Sequence, residues 1–184
     1  MLGLFARAML LWMALIAPAV VLGQDPPVPE LRTALRDDAT LRDVFFVDAN
    51  QGWAVGDRGV IWYTPDGGSH WLNQESGVGC TLRSVHFVNA RQGWIAGGWI
   101  EPHSQISRGL LLRTEDGGRT WQHIESDLPS LRKIQFLEDG RLLASGDWSP
   151  VFLSSSFLSH DGGLAWQPIV QTEPGHVSSA HTNG

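Results

Sequence analysis

Between residues 41 and 170 the apolar positions recur at every second residue over short runs, and then the pattern breaks at turn residues. In LRDVFF, LRSVHF and LRKIQF, Arg42, Val44 and Phe46 share one face, as do Arg83, Val85 and Phe87, and Arg132, Ile134 and Phe136. Alternation of this kind, with β-branched and aromatic residues at matching places, predicts half-buried strands. Each run opens a longer unit, and three such units align: Leu41 to Trp71, Leu82 to Trp121, and Leu131 to Trp166. Within a unit a second, small apolar run follows at Gly52–Gly56 and Gly93–Gly97, with Trp53 and Trp94 in register. A third runs from Val60 to Thr64 and from Leu110 to Thr114, and a fourth starts at the closing tryptophan. The unit starts lie 41 and 49 residues apart and the closing tryptophans 50 and 45 apart. That period belongs to four-stranded propeller blades, so the pattern predicts an all-β chain of three blades in an incomplete ring. No stretch from residue 24 onward carries a convincing amphipathic helical period.

Each unit closes on one motif: Ser or Thr, any, Asp, any, Gly, any, any, Trp. The copies are Thr64, Asp66, Gly68 and Trp71; Thr114, Asp116, Gly118 and Trp121; and Ser159, Asp161, Gly163 and Trp166. An Asp there can accept backbone N–H groups of its own turn, a Gly can take a positive φ, and a Trp can plug the hairpin. The three aspartates therefore read as turn caps rather than catalytic acids. The motif resembles the Asp-box, or bacterial neuraminidase (BNR), repeat. The fuller pattern, LRxVxFVxxxxGWxxG followed by TxDGGxxW, is similar to exported propellers related to the photosystem II assembly and stability factor. The resemblance covers residues 41 to 169. It implies a periplasmic or lumenal protein that assists assembly of a membrane complex through a protein partner. No cofactor is expected. Two departures stand out: such propellers have about seven blades against three units here, and the third unit has Leu142 and Leu143 where the others have Gly-Trp.

Composition sharpens this picture. Nine Trp against one Tyr, with 21 Gly, suits many short strands and tight turns, each anchored by one large ring. The first residues hold a single charge, Arg7, and an apolar run from Ala8 to Leu22 broken by Pro18, which reads as a cleaved, export-directing signal peptide over residues 1–23. Residues 24–40 read as a Pro-rich linker and lead-in, residues 41–170 as the bladed segment, and residues 171–184 as a disordered tail. Losing Arg7 makes the remaining chain one charge more negative than the −6 of the whole. Such a balance disfavours nucleic acid as the partner. Cys80, the single thiol, cannot form an internal disulfide.

Enzyme readings find little support in the residues. Asp-box sialidases need an arginine triad and a Tyr nucleophile, and the one tyrosine, Tyr63, lies in a strand directly before an Asp-box. Glu101 and Asp147 are the acids a glycosidase would have to use. The seven histidines are not spaced as metal ligands, so no metal is expected. Binding candidates are clearer. Arg42, Arg83 and Arg132 take the same place in the innermost strand of each blade and form a candidate anion patch at the channel mouth, unless each pairs with a neighbouring acid. Units two and three carry insertions between their second and third strands, on the rim opposite the Asp-boxes: Trp99, Glu101, His103 and Arg108 in one, Asp147 and Trp148 in the other. A Trp beside a Pro and an acid on such an insertion suits an apolar protein segment, or a glycan by stacking, unless Trp99 and Trp148 fold back to cover bare blade edges. Three blades also leave apolar faces that self-association would cover.

Overall fold

The computed structural model describes residues 38–149, 151, 152 and 154–170. The expected signal peptide (1–23), the tail (171–184) and all but the end of the 24–40 lead-in lie outside them. The described residues form three antiparallel meanders of four strands. Blade 1 holds β1 (Leu41–Phe46), β2 (Gly52–Gly56), β3 (Ile61–Thr64) and β4 (Leu72–Gln74). Blade 2 holds β5 (Thr81–Phe87), β6 (Gly93–Ile100), β7 (Ser107–Thr114) and β8 (Gln122–Ile124). Blade 3 holds β9 (Leu131–Phe136), β10 (Leu142–Gly146), β11 (Ser156–Ser159) and β12 (Gln167–Pro168). The strands thus fall where the hydrophobic pattern puts them, with the outer strand starting one residue after the closing tryptophan.

The alternation in the inner strands is interrupted at one place. Register shifts between Leu41 and Asp43, between Leu82 and Ser84, and between the partners of Ser145 and Gly146 leave Arg42, Arg83 and Arg132 as the extra residue of a β-bulge in each blade. A bulge re-aims the side chain it carries and turns the strand end. It is why the arginines point away from the packed face while Leu82, Val85 and Phe87, and Leu131 and Ile134, are buried.

Two apolar clusters hold the blades together. Trp53, Val55 and Ile61 of blade 1 meet Leu82, Val85, Phe87, Ile95, Leu110 and Leu112 of blade 2. Trp94, Ala96 and Leu111, on the other face of blade 2, meet Leu131, Ile134, Leu142, Ala144 and Phe157 of blade 3. Full burial of each large side chain contributes roughly 1.5–3 kcal/mol. Blade 2 is therefore covered on both faces. On the face of blade 1 turned away from it, Leu41, Val44 and Phe46 stay exposed, although their counterparts in blade 2 are buried.

Polar groups add a second tie near the axis. Asp43 Oδ2 of blade 1 accepts the Val85 N–H (3.1 Å) and the Ser84 hydroxyl (3.0 Å) of blade 2, and pairs with Lys133 Nζ of blade 3 at 3.0 Å. Ser84 Oγ in turn accepts the Ile134 N–H at 3.2 Å. Asp43, Ser84 and Lys133 each directly follow a bulge arginine, so one position per blade builds the network.

Candidate binding rim and the Asp-box turns

The two ends of the blades are built differently. At one end sit the Asp-boxes, where the Thr or Ser hydroxyl both accepts and donates. Thr64 Oγ1 accepts the Gly68 N–H (2.8 Å) and bonds Asp66, Thr114 Oγ1 does the same for Gly118 (2.8 Å) and Asp116, and Ser159 Oγ for Gly163 (2.9 Å) and Asp161. The carboxylates accept backbone N–H groups from His70, Thr120, Leu164 and Ala165. Gly68, Gly118 and Gly163 take φ of 92°, 83° and 97°, which side chains rarely adopt. The closing rings Trp121 and Trp166 lie partly covered beside these turns, Trp71 is exposed, and Trp166 Nε1 donates to Gly163 O. Hydrogen bonds from the side chain and backbone of His70 hold the Asp66 carboxyl at about 2. Burial pushes Asp116 upward, but bonds from Thr120 and Thr114 outweigh it and bring it also to about 2.

Sequence reasoning missed a further role of these turns. Trp53 Nε1 donates to Gly117 O at 3.2 Å and Trp94 Nε1 to Gly162 O at 3.0 Å, so the Asp-boxes of blades 2 and 3 each fasten the tryptophan of the preceding blade. The signal was present in the register of Trp53 and Trp94 with the two DGG turns that follow in the next unit.

The bulge arginines and the insertions share the opposite rim. Arg42 forks onto Asp57, which follows β2, with Nε and Nη2 at 3.0 and 2.8 Å from the two carboxylate oxygens. Asp147 follows β10 at the matching place and receives two cations: Arg132 of its own blade through Nε, and Arg83 of blade 2 through Nη1 at 3.2 Å. Arg83 Nη1 also donates to Ser130 Oγ at 2.6 Å. Burial raises the Asp147 carboxyl, yet the two guanidiniums outweigh it and keep it below the usual carboxylate range. Two arginines of the candidate anion patch, Arg83 and Arg132, thus form one ion-pair cluster with an insertion acid, while Arg42 is paired separately with Asp57.

The first insertion is mostly hairpin rather than loop. Trp99 pairs with Arg108 and Ile100 with Ser107, extending β6 and β7. Glu101 closes the tip by accepting from Ser104 Oγ (2.7 Å) and Arg108 Nε (2.9 Å), which hold its carboxyl low. His103 is exposed at the tip. Trp99, 40% exposed, lines a groove with Cys80, Leu110, Leu112, Trp121 and His123. Trp148 stands out at 80% exposure beside the Asp147 cluster, with Val151 at 72%. Glu101 and Asp147 sit in different blades, each bound to arginine and each shifted down, whereas a glycosidase acid needs its pKa raised. Among the described residues no three of His, Cys, Asp and Glu gather as a metal site, and no helix is long and apolar enough to cross a membrane.

Three blades, each closed by an Asp-box, define a segment of an Asp-box β-propeller. Residues 30–182 match the family model of the photosynthesis system II assembly factor YCF48, and the chain belongs to that family. The photosystem II assembly lipoprotein Ycf48 of Synechococcus sp. (strain CC9902) is 30% identical over 148 residues, which are 78% of this chain and 40% of that protein. A solved structure of YCF48 bound to D1 peptide superposes with a TM-score of 0.58 at 32% identity, over 72% of this chain and 40% of the other. YCF48 from Cyanidioschyzon merolae shares the fold, with a TM-score of 0.55, 24% identity, and coverage of 73% and 38%. The chain spans about two fifths of the length of the relatives it matches.

Proposed function

We propose that the chain is an exported, non-catalytic binding module of the photosystem II assembly kind, which grips an extended segment of a membrane-complex subunit on the rim opposite its Asp-boxes. The observation that carries this reading is the likeness to a YCF48 structure that holds a D1 peptide, taken with a rim that offers what a peptide needs. Trp148 and Val151 present apolar surface that water covers poorly, and Arg83 and Arg132 stand beside them as donors for carboxylates. The Asp-box end, by contrast, spends its polar groups on its own backbone. Export is supported by the apolar segment before residue 24 and by the family. The Synechococcus relative is called a lipoprotein, whereas the only cysteine of this chain, Cys80, stands between the first two repeats.

The test is fluorescence anisotropy of the full chain with the peptide seen in that relative. Wild type should bind, Trp148→Ala should weaken binding several-fold at an unchanged melting temperature, and Arg83→Gln with Arg132→Gln should weaken it at least about tenfold. Equal binding by Trp148→Ala and wild type would remove the rim from the account.

A further inference from the structure

The acid that follows the second strand differs among the blades. Blade 1 has Asp57, blade 3 has Asp147, and blade 2 has Gly98. In blade 1 the fork of Arg42 onto Asp57 is complete, with both carboxylate oxygens taken by one guanidinium. Arg83 has no acid at that place in its own blade, so it crosses to Asp147, which Arg132 already holds. One carboxylate thus serves two guanidiniums, each through a single N–H donor, where bidentate pairing would use two. The remaining N–H groups of Arg132 have no acceptor among the described residues, and its side chain is 71% exposed. The cluster of Arg83, Arg132 and Asp147 is left with one net positive charge beside the exposed indole of Trp148.

We propose that Asp147 is a built-in occupant of a carboxylate-binding site formed by Arg83 and Arg132, which a carboxylate of the incoming partner displaces or joins, with Trp148 packing on the adjoining residue. The inference rests on the rim reading above and deepens it by naming the ligand chemistry and the side chain that competes for it. Asp147 is only 17% exposed and its backbone N–H is tied to Ser130 O at 2.8 Å, so its carboxylate turns in place while the strand end stays anchored. Competition has a sign that a merely organising role lacks. An acid that only positions the arginines makes binding weaker when removed, whereas an acid that occupies their site makes binding tighter.

Succinate is the first probe, titrated into the full-length wild type and Asp147→Asn and read by NMR at the arginine Nε–H resonances. The variant should bind at least about threefold tighter, and the gain should shrink as chloride rises, since the added contacts are between charges near the surface. Arg132→Gln in the Asp147→Asn background should abolish the gain. Two peptides then separate the sources of the carboxylate: one with neutral side chains and a free C-terminus, the other with an internal Glu and an amidated C-terminus. The arm that gains affinity in Asp147→Asn identifies the source. Succinate binding that is unchanged or weaker in Asp147→Asn overturns the proposal, provided the variant melts within a few degrees of wild type. Asp147→Ser, which keeps a small polar side chain, repeats the measurement if it does not. Failure of the D1 peptide to bind wild type, with succinate still favouring Asp147→Asn, would count against the protein-partner reading and leave the carboxylate site standing.

Discussion

The two blade interfaces are built from the same parts and pack differently. Between blades 1 and 2, Trp53 stacks on Phe87 with ring centroids 3.6 Å apart and planes 13° from parallel. Between blades 2 and 3 the equivalent pair, Trp94 and Phe136, lies at 5.5 Å and 24°. The cause is one residue. A Cβ on Gly93 would come within 2.6 Å of the Phe87 ring, so the ring lies directly over a bare backbone. Blade 3 has Leu142 there, fully buried, and its side chain takes the volume that the ring would need. The indole hydrogen bond to the next Asp-box survives in both interfaces, at 3.2 and 3.0 Å. Polar anchoring is therefore kept from blade to blade while ring packing is negotiated locally.

Removing the tryptophans should produce the largest effect and test the comparison most severely. Trp53→Ala should destabilise by about 3–5 kcal/mol in denaturant unfolding. Trp94→Ala should cost about 0.5–1.5 kcal/mol less, because its stack is looser. Equal losses would show that ring distance does not matter here. Gly93→Leu transplants the blade 3 arrangement into the tighter interface, and overpacking of this kind costs about 1–3 kcal/mol. The near-UV circular dichroism of the Trp53–Phe87 pair should fall with it. In the Asp-box, Thr114→Val strands the Gly118 N–H and takes a donor from Asp116, for a loss of about 1–3 kcal/mol without change in peptide affinity.

The smallest effect concerns pH. Asp66 and Asp116 ionise near 2 in the folded chain, below an unfolded aspartate near 3.9. A depressed folded pKa gives stability that is present in full above the unfolded value and lost as pH falls toward the folded one. Acid titration should show this loss between about pH 4 and pH 2. Asp116→Asn should flatten the slope in that window and leave stability above pH 5 independent of pH through this group.

The strands, the blade count and the Asp-box were legible because each is a local pattern repeated three times. Val44, Val85 and Ile134 announce the same strand, and Asp66, Asp116 and Asp161 the same turn. The bulges at Arg42, Arg83 and Arg132 were not legible, since a bulge leaves the residue types of an alternating strand in place and changes only their pairing. The sharing of Asp147 by two blades depends on contact between Arg83 and a residue 64 positions away, across a blade boundary. Composition near either residue does not carry that. The extension of the sheet into the insertion was not legible either, because Glu101, Pro102 and His103 break the period, yet the flanking pairs Trp99 with Arg108 and Ile100 with Ser107 continue the sheet.

The central claim is that one end of the blades binds and the other end only holds the fold. Backbone amide chemical shifts of the labelled full chain, followed while the D1 peptide is titrated, test it directly. The account predicts shifts at Arg83, Arg132, Asp147 and Trp148, with the Asp-box glycines Gly68, Gly118 and Gly163 unmoved. Shifts concentrated at those glycines, or on the exposed face of β1 at Val44 and Phe46, would contradict it.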